Sequence, residues 1–260
     1  MSSFSPLQRG DRLPTVGVIQ LLLNRAGGSL RVDGSFGPRT QAAVLDFQHQ
    51  RRLPPTGMID ALTWNRLFHA DKPILIDLID VFDERIYQKQ AQEMESTGSS
   101  PIYMGGMSNG LAQMAEKLRG ASQIMLLRIV GHGASGVQAI SMGVGGWVET
   151  VGSKEVRHFY PHQTTSMSAS NVATLPPSLR GIFGSWGNLE LHGCHVAQGP
   201  QGREFVRKLA DVVGVPVTAG KGTQRSGLRF LGSTFTAAPD GRTLEEWCAG
   251  LPQFTPVSVP

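Results

Sequence analysis

The sequence predicts an α/β fold: a mainly parallel sheet flanked by helices, preceded by a small all-α domain of three helices. Three observations carry this reading. After about residue 70, apolar runs of strand length alternate with amphipathic stretches, the signature of βα units building a parallel sheet. Before it, three short helical patterns are separated by Gly- and Pro-rich turns. The charge also changes character there. Residues 1–70 hold eight Arg and four Asp with no Lys or Glu, so the whole formal charge of +4 sits in them; the remainder balances 16 basic against 16 acidic groups. The chain therefore divides into units 1–70 and 71–260, each long enough to bury a core.

Bulk properties narrow the function classes. The chain is 40% hydrophobic and 17% charged, as a globular protein is. Its most apolar runs, such as "QIMLLRIVG", are far too short to span a membrane. Eight scattered arginines are too dilute for a nucleic-acid surface, although they favour an anionic partner. The opening "MSSFSPLQRGDRLP" lacks the basic-then-apolar layout of a secretory signal. Cys194 and Cys248 do not make a disulfide framework, although one bridge between them is possible.

In the first unit, Thr15 or its neighbour opens "TVGVIQLLLN", with Val16, Ile19 and Leu23 on one face. "RVDGSFGPRT" turns the chain, and Pro38 sits in the first turn of "PRTQAAVLDFQHQ", where its missing N–H costs nothing. Ala43, Val44 and Phe47 face inward. Asp60 caps "DALTWNRLF", which buries Trp64, Leu67 and Phe68.

The second unit opens with strand "DKPILIDLIDVFD", followed by helix "ERIYQKQAQEME". "LAQMAEKLRGA" is an amphipathic helix with Leu111, Met114 and Leu118 inward, and "QIMLLRIVGHG" is a strand ending at Gly131-His132-Gly133. "SNVATLPPSLRGIF" reads as helical on both sides of Pro176-Pro177. Strand "NLELHGC", helix "QGREFVRKLADVVG" and strand "VPVTAG" follow, and "LRFLGSTFTAAPDG" reads as an edge hairpin.

Sites in such sheets form outside the carboxyl ends of the strands. His132 and Cys194 each sit just past a predicted central strand and beside glycine, so two neighbouring strand tips bring them together. A thiolate nucleophile needs an imidazole to take its proton and to protonate the leaving amine. Nearby glycines let backbone N–H groups reach a developing oxyanion. Against this stands an inert buried thiol, the common fate of a free cysteine. His192, Cys194 and His195 as metal ligands fit poorly, as do the two histidines of "HFYPH" at 158–162. "GVGGW" at 143–147 follows no clear strand, so no phosphate loop is read there. Cys248, in "EEWCAG", reads as structural. No metal and no cofactor are expected.

Two resemblances sharpen the picture. "VIQLLLN", "VDGSFGPRTQAAVLDFQ", "RRLPPTGMID" and "TWNRL" resemble a three-helix peptidoglycan-binding module over about residues 7–68. This implies peptidoglycan as partner, with Asp33, Arg39, Thr40 and Gln48 the polar ligand candidates near the loop. "LLRIVGHG", "LELHGC", "HGCHVAQGPQGREFVRKLA" and "VPVTAG" resemble, in matching order, a bacterial caspase-like cysteine peptidase domain over about residues 73–240. By that resemblance Cys194 is the nucleophile, His132 the acid/base and the Gly133 N–H an oxyanion donor. Metacaspases carry Asp two residues before the cysteine; here that position is His192, which departs from a preference for Arg or Lys.

The expectation is therefore a cell-envelope cysteine endopeptidase acting on a peptide or protein and held to the wall by its first unit. Without a secretory signal, the envelope would be reached from the cytoplasm by a specialised system or by lysis. A non-catalytic envelope-binding protein is the alternative from another class. A papain-like peptidoglycan hydrolase is a third reading, disfavoured because those enzymes place Cys before His.

Overall fold

The computed structural model describes residues 5–68, 73–80, 84–96, 100–104, 110–141, 146–159, 166–175, 177–225 and 228–254. Three helices open the chain: α1 (Pro14–Arg25), α2 (Pro38–Gln50) and α3 (Ala61–Leu67). Helix α1 begins one residue before Thr15, with Pro14 in its first turn and no side-chain cap. Asp60 caps α3 by accepting the Thr63 N–H.

Strand β1 (Ile74–Asp80), helix α4 (Glu84–Ser96), strand β2 (Ile102–Met104), helix α5 (Gly110–Lys117) and strand β3 (Ile124–Val130) follow. Short strands β4 (Gly133–Ala134) and β5 (Val137–Ala139) come next, then the hairpin β6 (Gly146–Val151) and β7 (Lys154–Phe159), and β8 (Ser166–Ser168). The chain returns through β9 (Phe183–Leu191), α6 (Gly199–Val213), β10 (Val217–Gly220), β11 (Thr234–Ala237) and α7 (Leu244–Ala249).

Six strands form the main sheet in the order β11-β10-β9-β3-β1-β2, parallel except for β11. The doubly wound, mainly parallel sheet expected from the alternating pattern is the one observed. Two details differ. The stretch read as an edge hairpin supplies one strand, β11, which pairs antiparallel with β10. Among the described residues, the stretch read as helical on both sides of Pro176-Pro177 holds only short 3-10 turns, Val172–Thr174 and Pro177–Leu179. There the Asn171 side chain accepts the Ser168 N–H and donates to Ser166 O, giving the backbone partners other than a helix ladder.

The two faces of the sheet are covered differently. One buries Leu78, Ile129, Leu189, Leu191 and Val217 against α5 and α6, including Met114, Phe205 and Leu209. The other meets the N-terminal unit. A second cluster joins Ile19, Leu22, Phe47 and Trp64 to Met125 and Leu126 of β3 and to Leu244, Trp247, Cys248 and Phe254 at the C-terminal end. Helix α1 is consequently buried at every position from Pro14 to Leu23, not only along the stripe its spacing predicts. All-round burial needs cover on two sides, and the α/β unit supplies the second. Phe254 locks the arrangement, stacked on Trp186 at 4.3 Å between centroids and edge-on to Phe68 at 6.2 Å.

Candidate active site at two neighbouring strand ends

Strands β3 and β9 lie side by side, with Ile129 opposite Leu191. The His192 N–H donates to Ile129 O at 2.8 Å, carrying the pairing one residue past β9. Just beyond lie Gly131-His132-Gly133 on one tip and Gly193-Cys194 on the other.

Their backbones are in van der Waals contact, and only glycine permits it. A methyl group at Gly133 would lie 2.6 Å from Cys194 O and 2.7 Å from Cys194 N. One at Gly193 would lie 2.9 Å from both Gly133 Cα and His132 O. The Ala139 N–H donates to His132 O at 2.9 Å, which makes His132/Ala139 the hydrogen-bonded pair of the β4–β5 ladder. Gly133/Gln138 is then a non-bonded pair, and the Gly133 N–H points away from β5. That leaves it outside the ladder.

Gln138, fully buried on β5, ties the tips together: its Oε1 accepts the Gly193 N–H at 2.9 Å while its Nε2 donates to Ala139 O at 2.9 Å. The Cys194 thiol is half-buried and free, and His132 is exposed. The sulfur is oriented by Gln224, whose N–H donates to Sγ at 3.3 Å and whose carbonyl lies 3.4 Å away as acceptor. His195 takes up the left-handed backbone region (φ 59°), and its Nε2 sits 3.1 Å from Thr223 Oγ1. Neither glutamine stands out in the sequence, because each acts at long range in the chain.

His192 has another task. It is buried, with Nε2 3.0 Å from Glu190 Oε2 and its ring stacked on Phe230 at 4.2 Å. This engagement removes it from the metal set considered with Cys194 and His195. No group of three or more His, Cys, Asp or Glu is placed to hold a metal among the described residues. His162 and residues 143–145 lie outside the described residues, as do most of "HFYPH" and "GVGGW". Cys248 is free, so no bridge joins the cysteines, and burial pushes its thiol up to about 12 with a further contribution from nearby Asp33.

The four polar candidates of the first unit separate on inspection. Gln48 is fully buried and fastens the following loop, donating to Met58 O at 2.8 Å and accepting the Gly57 N–H at 3.0 Å. Thr40 is buried and donates to Ser35 O. Neither side chain is available to a ligand, because each closes a turn that the fold needs. Asp33, partly exposed, accepts from Gln20 Nε2 and from the Ser35 N–H, both at 2.8 Å. Arg39 alone of the four is exposed.

Two family models match parts of the chain. Residues 79–235, more than half of the chain and containing both His132 and Cys194, match the family described as a domain of unknown function, DUF4347; the chain belongs to that family. Residues 12–67 match the family described as "Putative peptidoglycan binding domain". No curated protein matches. Among solved structures, the chain shares 27% identity with the endolysin of Burkholderia phage AP3, over 35% of this chain and 34% of that one, with a TM-score of 0.25. The chain thus spans about a third of that endolysin. No helix among the described residues is long and apolar enough to cross a membrane.

Proposed function

We propose that the protein is a cell-wall-associated cysteine hydrolase that cleaves peptide bonds through Cys194 and His132. The observation that carries this reading is the glycine-enabled contact of the two strand tips, which sets a free, half-buried thiol beside a histidine-bearing loop. Cys194 Sγ attacks the substrate carbonyl carbon while its proton passes to the His132 imidazole. The negative charge on the carbonyl oxygen is met by the Gly133 N–H. Collapse expels the amine, which takes its proton from His132, and water then hydrolyses the thioester. The helical unit holds the enzyme at peptidoglycan in the bacterial envelope, so the substrate is an envelope protein or a peptidoglycan stem peptide.

A second reading, a binding protein with an inactive α/β domain, is favoured by one observation: Gln224 already donates to and accepts from the Cys194 thiol. Labelling of the full chain with iodoacetamide, followed by intact mass, separates the two. The enzyme reading expects Cys194 to label in the folded protein. Release of peptides from fluorescent casein or purified sacculi should then fall by at least about 10³-fold in Cys194→Ala and in His132→Ala, with effects that do not add. Both variants should still sediment with sacculi. Labelling of Cys194 only after unfolding, with neither substrate cut, would leave the binding protein.

A further inference from the structure

The sheet face beneath the N-terminal unit carries a polar row that the strand pattern alone does not announce. In register across five strands stand Asp77, Arg128, Glu190, Thr218 and Thr236. The inner part of the row is self-satisfied. Arg128 and Asp77 are fully buried, with Nη2 2.9 Å from Oδ2, and Arg128 Nη1 also donates to Ser5 Oγ at 3.0 Å. At its outer end Thr218 is fully buried, with its hydroxyl 2.8 Å from that of Thr236, and the row meets open space through Glu190 and Thr236. It opens into a cavity of about 590 Å³, walled on one side by the N-terminal segment before α1 and on the other by β11 and the loop before α7. That volume is in the range of small-molecule sites.

The charge around this cavity is unbalanced. Arg12, Arg207, Arg229 and Arg242 line it against Asp11 and Glu190. Arg229 is matched by Asp11 at 2.7 Å, and Glu190 is engaged by His192. Arg242 reaches Asp240 at 3.9 Å while its Nε donates to Pro239 O at 3.4 Å, and the Arg207 guanidinium is held over the Phe235 ring at 5.2 Å. A stacked guanidinium is partly immobilised before any ligand arrives, so less freedom is lost when it binds. The excess is positive, while the floor offers the remaining acceptor positions of the Glu190 carboxylate, shared with His192, and of the Thr236 hydroxyl, shared with Thr218.

We propose that this cavity binds a small ligand bearing a carboxylate or phosphate group, with Arg207 and Arg242 taking the anion and Glu190 and Thr236 receiving its neutral polar part. Its walls come from both units, so an occupant bridges the wall-binding unit and the α/β domain and stabilises their junction. The site is distinct from Cys194 and stands whether or not that thiol is catalytic.

Calorimetry on the full chain at constant ionic strength, with citrate and inorganic phosphate as probes, tests the proposal. At least one probe should bind saturably at one site and raise the melting temperature. Their relative affinities separate a carboxylate ligand from a phosphate one. Arg207→Ala/Arg242→Ala should weaken binding by roughly tenfold or more, a change typical of losing charge-assisted contacts. Arg242→Ala alone, at a half-exposed position where folding is not at stake, should weaken it in the same direction. Cys194→Ala should bind as the parent does, which keeps this result separate from the fate of the hydrolase. Absence of saturable binding by both anions, or affinity unchanged in the two arginine variants, would overturn the site.

Discussion

Each of the two cysteines lies against a pair of glycines, and the glycines do opposite things. At Cys194 the partners are Gly133 and Gly193, and the atoms that a methyl group would strike are mainly backbone: Cys194 N and O, Gly133 Cα and His132 O. The space is used to bring two main chains together, and the thiol stays partly accessible. At Cys248 the partners are Gly17 of α1 and Gly34 of the following loop, and a methyl group would strike side chains: the sulfur itself at 2.6 Å from Gly17, and Leu244 at 3.0 Å with the sulfur at 3.1 Å from Gly34. There the side chain fills the space, with 1% of the residue exposed. The same pair of residue types thus makes the close approach of two main chains at the proposed site and a packed seam between the two units. Which atom the glycine admits, backbone or side chain, decides between them.

The largest effect expected from breaking this contrast is at Gly133. In Gly133→Ala the new methyl meets backbone that no rotamer change can clear, so the two tips must separate. Displacement of the proposed oxyanion donor should lower hydrolysis by about 10²–10³-fold, and the overpacking should destabilise by about 1–3 kcal/mol. Sedimentation with sacculi should persist. A variant with parental activity on casein or sacculi would show that the tip contact is not what organises the site.

Next comes the pH dependence of the Cys248 seam. Its thiol is held at about 12 against an ordinary 9.0, chiefly by burial. The folded state therefore keeps the proton that the unfolded state gives up above about 9. Stability from this group is present in full below pH 9 and is lost as pH rises toward 12, by at most about 1.4 kcal/mol per pH unit. Urea unfolding between pH 8 and 11 should show a fall steeper in the parent than in Cys248→Ala. Equal slopes in the two proteins would mean that the sulfur is not sealed as the seam requires.

A smaller effect sharpens the same side of the comparison. Gly17→Ala should cost about 1–3 kcal/mol by overpacking against the sulfur. In a Cys248→Ala background the sulfur is gone, and the better helix propensity of alanine should make the change neutral or stabilising by up to about 1 kcal/mol. That reversal of sign, read from a double-mutant cycle of unfolding midpoints, is specific to the seam.

Much of the Cys194 side was legible in the sequence, and much of the Cys248 side was not. Apolar runs ending "IVGHG" and "LELHGC" place their last residues at strand tips, and a parallel sheet gathers such tips at one edge. Positions of His132 and Cys194 follow from that rule without any contact being known. Gln138 and Gln224 do not, because the hydrogen bonds that make them matter join residues 55 and 30 positions apart. Periodicity in α1 showed the stripe facing its own module, but the cover on its other side comes from residues more than 200 positions later, such as Trp247 and Cys248. Thr40 and Gln48 looked like ligand groups because they are polar and near a turn; the turn itself consumes them. In the sequence Glu190 carries no signal of its own, and His192 reads only as a poorly fitting metal ligand and as the position where metacaspases carry Asp; their pairing appears once the strand's face is known.

The smallest expected effect belongs to a residue outside both cysteine environments. Arg39 is exposed at the start of α2, and the structure gives it no part in closing a turn, unlike Thr40 and Gln48. As a rim charge on a binding surface it should contribute modestly and through electrostatics. Arg39→Ala should weaken sacculus sedimentation by roughly two- to fivefold at low salt, with the difference shrinking as salt screens the interaction. Melting temperature and hydrolysis of soluble casein should not change, since neither the strand tips nor the seam involves this side chain. Gln48→Ala makes the matched control, because removing a buried side chain with several partners should destabilise by about 1–3 kcal/mol and so affect sedimentation only through unfolding. Sedimentation of Arg39→Ala equal to the parent at every salt concentration would place the wall-binding surface elsewhere on the helical unit.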